Sequence, residues 1–243
     1  MKYTTAMVSN IGGRSQNQDY CAFREKSPFT CWVVADGLGG HKGGEVASCI
    51  ATETILDEFE KNPEISAEAL VRYIKYAQDS IISKQEEEPK LFSMRTTVVI
   101  LIADSKNAIW SHIGDSRLYH FSNGQIIFQT KDHSVPQAMF DAGDITYNEI
   151  RHHEDRNRLL RSLGHEGNLR PAVEKIVHPV RSGDAFLLCT DGFWEYVTEI
   201  EMVADLVKSG SPDEWLYWMA SRITARAEEK CDNYTAIAVF AED

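Results

Sequence analysis

The stretch Cys31-Trp-Val-Val-Ala-Asp36-Gly-Leu-Gly-Gly-His41-Lys-Gly-Gly-Glu-Val-Ala-Ser48 decides the reading of this chain, because an apolar run stops at a carboxylate and gives way to glycines. Short apolar runs with β-branched and aromatic members, bounded by glycine, read as buried strands, so residues 31 to 35 form a strand with Asp36 at its end. Gly37, Gly39 and Gly40 then let the backbone turn sharply with its carbonyls exposed. Beyond them Ala47, Ala51, Ile55 and Phe59 recur four apart, with Val46 and Ile50 beside them, which is the period of a helix. Strand, metal site, helix is the reading. Asp-Gly alone more often marks an ordinary turn, so the rest of the chain has to decide.

At 243 residues the chain can bury a substantial core. No Pro/Ser/Gly-rich linker, compositional shift or repeat divides it, so a single domain over 1–243 is expected. The one low-complexity patch, Gln85-Glu-Glu-Glu88, reads as a solvated helix end. The net charge is −12 and the sequence pI is about 5.1. No Lys/Arg-rich run compensates, which argues against nucleic acid as a partner. An acidic protein that handles a phosphorylated substrate must reverse its sign locally, and bound divalent cations do that. Five cysteines, scattered without a C-x-x-C pair, point to a reducing compartment and inert thiols. The N-terminus has no apolar signal region, and the longest apolar run, Val98 to Ala103, is far too short to span a bilayer. A cytoplasmic monomer with no membrane partner is expected.

Taken in order, Tyr3 to Ser9 alternates weakly as a first strand and ends at the turn Asn10-Ile-Gly-Gly13. The polar cluster Arg14-Ser-Gln-Asn-Gln-Asp19 then leads into a short apolar segment, Tyr20 to Phe23. A lone arginine is usually a surface charge, but the Arg14 guanidinium also suits two phosphate oxygens. Ser66-Ala-Glu68 starts a second helix with Leu70, Ile74, Ala77 and Ile81 on one face. Strands follow at 96–103, 108–113, 118–121 and 125–129, the last two joined by the hairpin signal Asn123-Gly124. Residues 135 to 142 read as a short helix. Residues 143–158 are polar and aperiodic, and read as a flexible surface flap; its paired His152 and His153 lack partners at ligand spacing. Strands are expected at 173–180 and 184–190, the second running into Asp191-Gly192. Ser211-Pro-Asp-Glu214 is a helix start with Trp215, Met219 and Ile223 on its apolar face. A last strand, Tyr234 to Phe240, follows Asp232.

Asp36, Asp191 and Asp232 therefore each sit where an apolar strand meets a polar turn, and Asp19 lies between a turn and a short strand. If those ends share one side of a sheet pair, the carboxylates converge and repel one another unless cations neutralise them. Oxygen ligands without cysteine or histidine suit Mg²⁺ or Mn²⁺ rather than Zn²⁺. Any one of these aspartates could be a plain turn residue. That is a much weaker account of all of them together.

The ordered set Arg14…Asn17-Gln-Asp19, Asp36-Gly-x-Gly-Gly40, Thr96-Thr97, Gly114-Asp-Ser-Arg117, Asp132-His-Ser134, Gly183-Asp184, Thr190-Asp-Gly192 and Asp232-Asn-x-Thr235 resembles the PPM-type (type 2C) metal-dependent Ser/Thr protein phosphatases in their compact bacterial form. The resemblance runs from Asn10 to Phe240. Each motif is weak alone, whereas their order and spacing are highly specific. It implies an α+β fold, an αββα β-sandwich of two antiparallel sheets flanked by helix pairs. It implies two to three Mn²⁺ or Mg²⁺ ions. Asp36 would bridge two of them, the Gly37 carbonyl would bind one, Asp191 and Asp232 would ligate the other, and Asp19 would act through water. Asp115 would help hold a third ion, and Arg14 would grip the phosphate. The implied reaction is direct attack of a dimetal-bridging water on a phosphomonoester, with no phosphoenzyme, and neither a Cys-x5-Arg loop nor a nucleophilic Asp-x-Asp motif is present to contradict that. Phosphoproteins, targets of a Ser/Thr kinase, are the implied partners.

The chain departs from the family pattern in places. Leu38 stands where eukaryotic relatives often carry a histidine proposed as general acid, and His41, three residues later, does not inherit that role. Gln18 replaces a common Glu, which changes an outer contact, and Arg95 precedes Thr96-Thr97 where glycine is usual. Two other functions fit the same fold, a phosphoprotein-binding pseudophosphatase and a small-molecule phosphomonoesterase. The complete aspartate set argues against the first, and a deep closed pocket would mark the second.

Overall fold

In the computed structural model, which describes residues 1–39, 43–165, 167, 169–227 and 231–243, the chain runs β1 (Lys2–Asn10), β2 (Asp19–Lys26), β3 (Phe29–Leu38), α1 (Gly43–Lys61), α2 (Ala67–Glu87), β4 (Arg95–Thr96), β5 (Val98–Ala103), β6 (Asn107–Ile113), β7 (Arg117–Ser122) and β8 (Gln125–Gln129). It continues α3 (Val135–Ala142), α4 (Tyr147–Ile150), β9 (Ala172–Val173), β10 (His178–Pro179), β11 (Ala185–Cys189), α5 (Asp191–Trp194), α6 (Glu199–Lys208), α7 (Pro212–Arg226) and β12 (Tyr234–Glu242). Gly40 and His41 lie outside the described residues.

Two antiparallel sheets result. One has the order β1-β12-β11-β7-β8; the other has β10-β6-β5-β3-β2, with β4 paired to β3 and β9 to β6. The period-two geometry of a strand explains why β3 is apolar on both sides. Cys31 and Val33 pack with Ile55, Phe59, Leu70 and Ile74 of α1 and α2, while Trp32 and Val34 pack with Phe186, Leu188, Ile237 and Val239 of the facing sheet. On the outer face of that facing sheet, Tyr119, Leu187 and Ala236 meet Met202, Trp215 and Met219 of α6 and α7. The layers are thus helix pair, sheet, sheet, helix pair, as the resemblance implied. None of the described helices is long and apolar enough to cross a membrane.

Four expectations change. Asp36 does not end its strand: β3 continues to Leu38, with Asp36 opposite Asp19 and Gly37 opposite Thr96. The turn begins at Gly39, whose φ is +136°. Residues 173–180 do not make one strand but two short pieces on β6, the second holding Pro179, which has no N–H to donate to a ladder. The flap at 143–158 carries a helical turn closed by a capping box, in which the Thr146 N–H donates to Glu149 Oε2 at 2.7 Å. Finally α6 was not foreseen; its signature is a second capping box, Thr198 with Glu201.

Candidate active site

At one end of the sandwich a cleft of about 400 Å³ is lined by Arg14, Gln18, Asp36, Gly37, Leu38, Asp115, Asn157, Asp191 and Asp232, among others. Each sheet contributes. Asp36 comes from β3, while Asp191 follows β11 and Asp232 precedes β12 in the other sheet. Asp115 sits in the crossing from β6 to β7, where the chain passes between the sheets. Asp19 is buried and absent from the lining. It stands behind Asp36 and accepts a hydrogen bond from the Thr190 hydroxyl at 2.9 Å.

The motif residues without an assigned chemical role turn out to fix these carboxylates. Thr96 Oγ1 donates to the Asp36 carbonyl at 2.8 Å, the Asp36 N–H donates to Thr97 Oγ1 at 3.0 Å, and that hydroxyl pairs with Ser116 at 2.7 Å. Asn233 accepts from the Gln18 N–H at 2.8 Å and donates to the carbonyls of Ile11 and Gln16 at 2.7 and 3.0 Å, tying the Arg14 loop to the Asp232 strand. Gln18 Nε2 donates to the Gly39 carbonyl at 3.0 Å, a bond that a glutamate carboxylate could not make. Arg95, by contrast, is exposed. Gly37 must be glycine, since a Cβ there would lie 2.1 Å from the Gly44 carbonyl oxygen. The same holds for Gly192, whose Cβ would lie 2.0 Å from the Asn233 oxygen, so Asp191 and Asp232 are brought together by direct backbone packing.

Asp115 is held from behind. Its carbonyl accepts from Trp194 Nε1 at 3.0 Å, and Arg117 lies 3.5 Å above the Trp194 ring while gripping Asp132 through Nε and Nη2 at 2.8 and 2.7 Å. The network continues to Glu199 Oε1, which accepts from Tyr119 and Tyr147 at 3.2 Å each. Arg151 Nη2 reaches both Glu199 oxygens at 2.9 Å. Arg156 bonds Glu195 at 2.6 Å. The flap is therefore pinned by Tyr147, Arg151 and Arg156, and much of its positive charge is neutralised internally. Sequence reasoning missed Glu199, Trp194 and the cleft-lining Asn157; the Thr198-x-x-Glu201 capping pattern is the unread signal that could have led to this region.

Electrostatically the cleft is overloaded with negative charge. Burial first, and then the fields of Asp191, Asp19, Asp115 and Asp232, hold the Asp36 carboxyl well above the usual range. Asp191 is raised by burial and then Asp115, and Asp19 and Asp115 are each pushed up to about 7, chiefly by burial. The cationic side chain among the described lining residues is Arg14, which is half-exposed and donates to Asp232 Oδ2 at 2.7 Å. The expected phosphate clamp thus rests on an expected metal ligand. Cations are what this donor set needs: it is all oxygen, without cysteine or histidine among the described lining residues, and hard divalent ions suit it. Among the described residues no group of three such side chains is close enough to hold a metal ion by itself.

A four-layer αββα sandwich whose two sheets bring aspartates to one acidic cleft defines a metal-dependent hydrolase. The family model described as protein phosphatase 2C matches residues 8–226. The serine/threonine phosphatase stp of Listeria welshimeri is 33% identical over 202 residues, covering 81% of this chain and 79% of that protein. The crystal structure of the serine/threonine phosphatase Stp1 from Staphylococcus aureus superposes with a TM-score of 0.87 at 27% identity, covering 100% of this chain and 96% of that one. The catalytic domain of the serine/threonine protein phosphatase PstP, in complex with two manganese ions, superposes with a TM-score of 0.83 at 26% identity, each chain covered to 99%. This chain belongs to the protein phosphatase 2C family, the metal-dependent phosphoprotein phosphatases.

Proposed function

We propose that the chain hydrolyses phosphoserine and phosphothreonine in proteins at this cleft, using two to three Mn²⁺ or Mg²⁺ ions. The observation that carries the reading is the convergence of Asp36, Asp115, Asp191 and Asp232 on one cleft where Arg14 is the opposing cation among the described lining residues. The residues that would hold the ions are Asp36 and the Gly37 carbonyl, Asp191 and Asp232, with Asp19 reaching through water and Asp115 serving a third ion. When bound, such ions supply neutralising charge to phosphoryl oxygens and acidify water. Arg14 stands at the same cleft with half its side chain exposed, so its guanidinium can exchange the Asp232 carboxylate for two phosphoryl oxygens. Thr96 and Thr97 fix the Asp36 backbone, and the absence of a side chain at Gly37 lets its backbone pack against Gly44 while its N–H donates to the Gln18 carbonyl at 3.1 Å.

The serine/threonine phosphatase names of the relatives support protein substrates, presented by an opposing Ser/Thr kinase. The flap would choose among them, a reading supported by Asn157 on the cleft wall. A monomer working in the cytoplasm completes this reading. Excess chelator is expected to abolish hydrolysis of a phosphothreonine peptide, and Mn²⁺ to restore it. Full activity in chelator, or a trapped covalent phosphoenzyme, would overturn the mechanism.

A further inference from the structure

A pocket of about 450 Å³ beside the catalytic cleft is lined by Arg151, His152 and Arg156 of the flap together with Glu195 and Arg226. Two of its sides continue into the cleft. Arg156 is followed by Asn157, and the Glu195 N–H donates to the Asp191 carbonyl at 2.8 Å, one helical turn back; Asn157 and Asp191 both line the cleft. A helical turn rises about 5.4 Å and a residue of an extended peptide spans about 3.3 Å. A side chain a few residues from a phosphorylated residue seated in the cleft therefore reaches this pocket.

The chain as a whole carries a charge of −12, yet here three guanidinium groups share a wall with one carboxylate, and the sign reverses locally. The carboxylates that offset Arg151 and Arg226 are absent from the lining and are themselves divided: Glu199 is shared between Arg151 and Arg117, and Glu201 between Arg226 and Arg222. Arg156 meets Glu195 through Nε alone, at 2.6 Å, and its two Nη groups make no hydrogen bond among the described residues. Its side chain is 40% exposed, so an incoming side chain can meet it. The open Nη pair is the end of the fork that takes two carboxylate oxygens at once.

We propose that this pocket is the subsite for an acidic side chain of the substrate, an aspartate or glutamate a few residues from the phosphorylated serine or threonine, held end-on by Arg156 in the field of Arg151 and Arg226. It rests on the phosphoprotein reading of the cleft and gives that reading a sequence preference.

The test uses the full chain with Mn²⁺ in excess and a series of phosphothreonine peptides. Glutamate is placed at each position up to about four residues away on either side, one at a time, and each peptide is compared with its glutamine counterpart. At the position that reaches the pocket, kcat/KM for the glutamate peptide is expected to exceed that for the glutamine peptide about fivefold, with the preference carried by KM. Raising the salt from about 0.05 to about 0.5 M is expected to shrink it, since exposed charges are screened. Arg156→Gln is expected to bring the ratio close to one, and Glu195→Gln, which leaves Arg156 without its internal partner, to raise it. Each ratio compares two peptides on the same enzyme, so damage to the flap or to metal binding lowers both peptides alike and leaves the ratio in place. Ratios near one at every position in the wild type, a preference that survives Arg156→Gln, or a preference lowered by Glu195→Gln would overturn the subsite while leaving the phosphoprotein reading standing. Loss of both peptides with retained hydrolysis of a small aryl phosphate would overturn that reading and the subsite with it.

Discussion

Asp36 and Arg14 line the same cleft but are expected to fail in different ways when removed. Asp36 and Asp191 are oxygen donors inside a cluster that already strains against its own charge. Asp36→Asn and Asp191→Asn are expected to lower kcat on a small aryl phosphate by at least about a hundredfold, because the interaction lost is one that stabilises developing charge. In the proposed clamp Arg14 would hold ground state and transition state alike, so Arg14→Ala is expected to raise KM about tenfold with little change in kcat. Steady-state kinetics with Mn²⁺ held in excess checks both; unchanged KM with lowered kcat would show that Arg14 does something other than grip phosphate. At this scale the carboxylates were legible because each ends or borders an apolar run. The purpose of Thr96, Thr97 and Asn233 was not, since hydroxyls and amides that bond a distant backbone leave no periodic trace in the sequence.

Among elements, the helices were read best where a cap and an amphipathic stripe coincide, as at Ser211 before Pro212–Arg226 and Ser66 before Ala67–Glu87. The stretch 173–180 read as one strand because its β-branched residues suit a ladder, yet the chain breaks there into two short pieces, and Pro179 lies within the second. The flap was legible as aperiodic, but not as docked, because Tyr147, Arg151 and Arg156 find their partners about 40 residues or more away, apart from Gln129. Its docking sharpens what the element should do. Replacing 145 to 155 with a Gly/Ser linker removes Tyr147 and Arg151 from Glu199, and is expected to reorder the ranking of phosphoproteins while leaving aryl phosphate hydrolysis near wild type. Parallel assays on the two substrate types decide it. Equal losses on both would mean that the Glu199 network supports Asp115 through Arg117 and Trp194, rather than substrate choice.

Across the whole molecule, the acidic cleft ties stability to pH and to cations. Asp19 and Asp115 are raised to about 7 in the folded state from an ordinary 3.8, so between those values the folded chain holds protons that the unfolded chain has lost. Stability from these groups is then present below the ordinary value and disappears as pH rises through about 7. The metal-free protein is expected to melt several degrees lower at pH 7.5 than at pH 5.5 on this account, with Mn²⁺ recovering the loss at the higher pH and adding less at the lower. Thermal melts in chelator and in Mn²⁺ at both values check it; a metal-free melting point that rises over this interval would contradict it.

Strand β12 joins the earliest and latest parts of the chain. It pairs with β1 along nine residues, Lys2 with Glu242 through Asn10 with Tyr234, and seats itself between β1 and β11 rather than at an edge. During synthesis, β1 therefore waits with an unsatisfied ladder until more than 200 other residues have emerged, and Asp232 arrives only just before its partner does. Contacts of such separation form slowly and leave edges exposed in the meantime. A ribosome-released fragment ending at residue 233 would carry every aspartate of the cleft and still lack the interior strand that joins β1 to its sheet. It is expected to be recovered insoluble or protease-sensitive and without activity, so that catalytic competence on this fold arrives all at once, with the last strand.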